Sequence, residues 1–154
     1  MMMSNFKLPV FIFGIIVFFS FSCSKNNSQS AQNNAVYIAA ANTPINISVY
    51  ITAHPNLEVV GGIDTISNVG VKGLIIYHAS DGFYVYDRAC TNDGTTKSNA
   101  AIVPYQTFNA KCPACNSQYS ISDGGGVLKS PAIIPLKRYN ASYDGTSEII
   151  TVTN

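Results

Sequence analysis

Along the chain, apolar residues gather in short runs rich in β-branched and aromatic side chains, with turn residues between them at short intervals. Such a pattern predicts strands rather than helices. The runs fall at 45–52, 57–66, 71–79, 83–89, 101–103, 107–111, 118–122, 127–128, 136–142 and 147–152. Pro55-Asn56 ends the first run. Gly61-Gly62 interrupts the second, and since no helix follows, a bulge or a close backbone approach is the expected use of the pair. Ser80-Asp81-Gly82 predicts one hairpin and Tyr143-Asp144-Gly145-Thr146 another. No window sustains apolar i, i+3, i+4, i+7 spacing with a cap, so no helix is expected. The prediction is one all-β domain over 35–154, with about eight to ten short strands.

Upstream the pattern changes. Lys7 precedes an apolar run over 8–21, broken only by Pro9, Gly14 and Ser20, and Ser22-Cys23 follows. A basic start, an apolar stretch of roughly 7–15 residues and a small residue before the cut describe an export signal, shorter than the roughly 20 residues of a membrane span. Ser20-Phe21-Ser22-Cys23 resembles the lipobox of bacterial lipoproteins, with Ser20 where leucine is usual. That resemblance implies removal of 1–22, lipidation of Cys23, and a lipid-anchored address in the bacterial cell envelope, on the periplasmic side or at the cell surface. Residues 24–34 are Ser, Asn, Gln, Lys and Ala only, with nothing to bury, so 23–34 read as a disordered tether.

Composition narrows the function classes. A net charge of +1 over 154 residues leaves no basic footprint, so no nucleic-acid partner is expected. The nine tyrosines fall mostly inside strands, where half-buried packing accounts for them. Asp64, Asp81, Asp87 and Asp123 are scattered, and Glu58 and Glu148 have no obvious partner. No paired acid and base, Ser–His–Asp set or phosphate loop stands out, so no catalytic constellation is found.

The cysteines carry the chemistry. With Cys23 in the export signal, Cys90, Cys112 and Cys115 remain, an odd set for an exported chain. It points to a metal site, or to one disulfide beside a free thiol. Cys90 directly follows the run 83–89 and Cys112 the run 107–111, on loops held by rigid strands, where sites are usually built. In Cys112-Pro113-Ala114-Cys115, Pro113 fixes φ and lets both sulfurs face one ion. A zinc knuckle needs a second pair, and only Cys90 is left to supply it. A thioredoxin-type pair should open a helix, whereas a β run follows here. A three-thiolate iron–sulfur site and a structural disulfide stay open.

Taken in order, Asp87 to Asn92, Cys112-Pro113-Ala114-Cys115-Asn116-Ser117-Gln118-Tyr119, Asp123-Gly124-Gly125, Ser130-Pro131-Ala132 and Pro135 to Tyr139 resemble a Rieske iron–sulfur domain. That family shows Cys-x-His, Cys-x-x-His-Gly-Ser, a Gly-rich turn and a Gly-Pro-Ala loop over its cluster. The resemblance runs over 73–152 and implies an all-β Rieske-like antiparallel sandwich or barrel with a small cluster-binding subdomain. Cys90 and Cys112 match the cysteine ligands; Asn92 and Cys115 stand where the histidines belong, Asn116 and Ser130 where glycines belong.

Other histidines are few. His78 sits beside the hairpin turn, so across the hairpin it lies near Tyr84, and Cys90 is six residues further along, roughly 20 Å at about 3.3 Å per residue. His78 is therefore an ordinary hairpin side chain, and the sequence does not place His54. A three-thiolate site remains, with Asn92, Asp93 or water as fourth ligand, although Asn92 also suits a turn in Thr91-Asn92-Asp93-Gly94. Thiolate in place of imidazole would lower the potential of a [2Fe–2S] cluster, and zinc would accept the same sulfurs. The expected function is a membrane-anchored, Rieske-type [2Fe–2S]-like or metal-binding domain passing electrons to a partner protein outside the cytoplasm. The competing expectation is a cluster-free or zinc-binding form of that fold, a structural or interaction lipoprotein with a disulfide.

Overall fold

The structure, a computed structural model, describes residues 35–154; the expected leader, tether and lipidated Cys23 lie outside the described residues. Its strands are β1 (Asn46–Tyr50), β2 (Ile63–Ile66), β3 (Leu74–Ala79), β4 (Gly82–Asp87), β5 (Val103–Tyr105), β6 (Asn109–Lys111), β7 (Gln118–Ser120), β8 (Val127–Lys129), β9 (Arg138–Asp144) and β10 (Ile149–Thr153). They form two antiparallel sheets, one of six strands in the order β1-β10-β9-β4-β3-β2 and one of four in the order β5-β6-β7-β8. The fold is all-β, with the small sheet carried as an insertion between β4 and β9.

The two central strands bury both faces. Leu74, Ile76, Phe83 and Val85 enter one cluster with Val49, Ile150 and Val152, around which the larger sheet curls. Their neighbours Ile75, Tyr77 and Tyr86 face the other way, into a cluster with Ile102, Tyr119, Ile121, Cys90 and Cys112. This explains why 74–79 reads as a nearly unbroken apolar run: a strand with one wet face would alternate. The hairpin between these strands is as tight as Ser80-Asp81-Gly82 predicts, with Ala79 opposite Gly82.

Two expectations need correction. Residues 35–41 are helical, and Val36 and Ala40, one turn apart, are both fully buried. All seven residues of this segment, Ala35 to Ala41, are apolar, so no polar face marks a helical period in the sequence. Further on, the expected strands over 45–52 and 57–66 are cut short by two 3₁₀ turns, Ile51–Ala53 and Pro55–Glu58. Pro55 supplies a helical φ at the first position of the second turn, which buries Leu57 completely. Gly62 is a close approach, as expected: a Cβ there would run into the Asn56 carbonyl. No helix among the described residues is long and apolar enough to cross a membrane.

Candidate metal centre

Three loops meet between the sheets. The first leaves β4 at Asp87, a fully buried carboxylate. It accepts hydrogen bonds from the Val71 and Ala89 amides (2.7 Å each), the Lys72 amide (3.2 Å) and the Tyr139 hydroxyl (2.8 Å). Asp87 therefore fixes the backbone just before Cys90. Ala89 pairs with Ala101, and the Cys90 amide donates to the Ala100 carbonyl at 3.0 Å. Residues 91–96 then turn, so the turn expected at Asn92 is present.

The second loop joins β6 to β7. The Cys112 amide donates to the Ser117 carbonyl and the Asn116 amide to the Cys112 carbonyl, both at 2.9 Å. Asn116 closes the turn with φ of +63°, a left-handed conformation that asparagine tolerates better than most residues. Asn116 is thus compatible with the backbone at a position where a glycine would be expected.

The third loop clamps the other two. After the cis Ser130-Pro131 bond, the Ala132 amide donates to Ser117 Oγ at 2.9 Å, and Thr91 Oγ1 donates to the Ile134 carbonyl at 2.9 Å.

The loops bring together the sulfurs of Cys90, Cys112 and Cys115, all within 4.8 Å of one another. Cys90 and Cys112 are fully buried and Cys115 half-buried, and all three are free thiols. Cys90 Sγ lies 3.6 Å from Cys115 Sγ and 3.2 Å from the Tyr119 hydroxyl. Ser117 Oγ sits 3.1 Å from Cys115 Sγ; because that oxygen already accepts from Ala132, its own proton is available to the sulfur. Backbone amides also converge on the sulfurs, those of Asp93 and Asn92 on Cys90 and those of Cys115 and Ala114 on Cys112. Asn92 thus reaches the centre through its backbone amide.

These contacts set unequal protonation. The Cys90 thiol is drawn down to about 5, first by the hydrogen bond from Cys112 and then by Tyr119 and the two amides, against the opposing effect of burial. Cys112 is pushed up by that same hydrogen bond and by burial. Burial is the main cause that raises Cys115. Burial, then the bond to Cys90, raises the Tyr119 hydroxyl.

The histidines are engaged elsewhere. His78 pairs with Phe83, the residue next to Tyr84, stacks on it at 4.3 Å and has Nδ1 2.8 Å from the Leu57 carbonyl. His54, unplaced by the sequence, has Nδ1 3.1 Å from Asp64 Oδ2, so Asp64 has a partner after all. A Rieske centre needs two imidazoles on one iron. The group found here, among the described residues, is three cysteines and no histidine. The residues present therefore do not fit that cluster.

What fold and site define together is an all-β domain with a three-cysteine centre. No protein-family model matches the chain. No curated protein matches it either. Among solved structures it is similar to the ferredoxin of carbazole 1,9a-dioxygenase from Nocardioides aromaticivorans IC177, at 18% identity over 71% of this chain and 96% of that one, with a TM-score of 0.42. It is also similar to a chain in a complex of reduced oxygenase and oxidized ferredoxin in carbazole 1,9a-dioxygenase, at 20% identity over 60% of this chain and 81% of that one (TM-score 0.44). A further similarity is to the terminal oxygenase of carbazole 1,9a-dioxygenase from Novosphingobium sp. KA1, at 14% identity over 81% of this chain and 34% of that one (TM-score 0.44).

Proposed function

We propose that the chain is a metal-binding domain whose cysteines Cys90, Cys112 and Cys115 hold the metal, and that with iron in the centre it serves electron transfer to a partner protein. The observation that carries the proposal is the convergence of three sulfurs within 4.8 Å, with amide and hydroxyl donors aimed at them. Donors of this kind stabilise thiolates, the form that binds metal. The export signal and the lipobox-like Ser20-Phe21-Ser22-Cys23 support a lipid anchor at Cys23 that holds the domain at the bacterial cell envelope. The [2Fe–2S] identity implied by the Rieske resemblance rests on Cys90 and Cys112 alone.

Metal analysis and an absorbance spectrum of the full chain, purified anaerobically, test the proposal. Bound metal lost on Cys112→Ser supports it. A colourless, metal-free protein that resists reconstitution with iron and with zinc would sink it.

One observation favours a second reading. Cys90 Sγ and Cys115 Sγ, 3.6 Å apart, would need to close to about 2.05 Å to form a disulfide, leaving Cys112 reduced. The domain would then be a structural or interaction module. Thiol counting on the unfolded chain separates the two: one free thiol among Cys90, Cys112 and Cys115 favours the disulfide, three favour the metal centre.

A further inference from the structure

The spacing of the sulfurs bears on how many metal ions they hold. On one tetrahedral ion with metal–sulfur bonds of about 2.3 Å, neighbouring sulfurs stand about 3.8 Å apart. In a sulfide-bridged pair of irons, terminal ligands on different irons point away from each other, so their sulfurs stand further apart than two on the same iron. Cys115 occupies the position of a second-iron ligand in the Rieske pattern, yet its Sγ is 3.6 Å from Cys90 Sγ, the spacing of two ligands on one ion. Cys112 Sγ is within 4.8 Å of both.

The surroundings hold this narrow geometry. Ser117 ties Cys115 to the Ala132 amide. Tyr119 ties Cys90 to Thr91, with its hydroxyl 3.1 Å from Thr91 Oγ1 and accepting from the Thr91 amide at 3.3 Å. Thr91 in turn holds the third loop through Ile134. Widening the triangle to span two irons would break bonds on both sides of it.

We infer that the centre takes one four-coordinate, thiophilic divalent ion, zinc or ferrous iron, bound by Cys90, Cys112 and Cys115, with a small solvent-derived donor in the fourth position. The inference rests on the proposal that these cysteines bind metal. Cys115 is the one residue of the three that is not fully buried, so solvent would reach the ion from its side.

The test is stoichiometry on the full chain, purified anaerobically and then reconstituted in parallel with zinc, with cobalt as a spectroscopic stand-in, and with iron plus sulfide. One metal ion per chain, no acid-labile sulfide and the intense visible bands of tetrahedral cobalt thiolate are expected. Cys115→Ser, at a position exposed enough to tolerate the change, should weaken cobalt binding at least tenfold. Two irons and two labile sulfides per chain would overturn the single-ion inference while leaving the metal-binding proposal standing. No metal under any of the three conditions would overturn both.

Discussion

Of the three thiols, Cys90 is the one its surroundings pull down, through the hydrogen bond from Cys112 and then Tyr119 and two backbone amides, whereas Cys112 and Cys115 are raised. Binding a divalent ion near pH 7 should therefore release protons from the raised thiols, and affinity should fall as the pH is lowered. Calorimetry in buffers of different ionisation enthalpy reads this directly; binding without proton release would mean that the cysteines are not the ligands. The same asymmetry affects the metal-free fold. A depressed thiol stabilises the folded state fully above the unfolded value of about 8.5, and that contribution is lost as pH falls towards 5. The stability advantage of the native chain over Cys90→Ser in urea should shrink between pH 8 and pH 5. A constant gap would show that Cys90 is not depressed. Two histidines can also be introduced where the Rieske pattern has them. N92H with C115H, reconstituted with iron and sulfide, should hold about two irons where the native chain holds one. Equal iron contents would contradict the account of why this chain departs from the pattern.

Single elements hold the loops in place, and two substitutions test how. Asp87 collects four hydrogen bonds from three segments with no exposure at all. Asp87→Ala would leave those donors buried and unpaired, at a cost of roughly 3–5 kcal/mol. Chemical denaturation measures it, and a loss under about 1 kcal/mol would mean that water replaces the carboxylate. Gly125, at φ of +74°, has Tyr86 and Leu136 so close that an added Cβ would stand 3.0 Å from each. Gly125→Ala should cost about 1–3 kcal/mol through backbone strain and crowding. At this scale the sequence was legible wherever the signal was local. The β3–β4 hairpin follows from a tight turn between two apolar runs, and the cysteine loops follow from their positions after strands. It misled at 51–62, where β-branched Ile51 and Thr52 favour a strand but Pro55 and the burial of Leu57 impose 3₁₀ turns. Asp87 looked isolated because its partners Val71 and Tyr139 lie 16 and 52 residues away. The contact of Tyr119 with Cys90, 29 residues apart, was hidden for the same reason.

For the whole molecule, the site lies where a four-stranded insertion packs against a larger sheet, and both cores depend on β3 and β4. The proposed lipid anchor would place that unit at the envelope. Cys23→Ser should move the chain from the membrane fraction to the soluble fraction and abolish labelling by a fatty-acid analogue; unchanged fractionation would remove the anchor from the proposal. The order of motifs along the chain made the small cysteine-bearing subdomain legible, because each motif ends or covers a strand. What the motifs could not convey was the spacing of the sulfurs, set by contacts among three loops far apart in sequence. X-ray absorption at the edge of the bound metal examines that spacing most directly. Three sulfur neighbours at about 2.3 Å, and no second metal close by, are the predicted result. A metal–metal vector, or a first shell without sulfur, would contradict it.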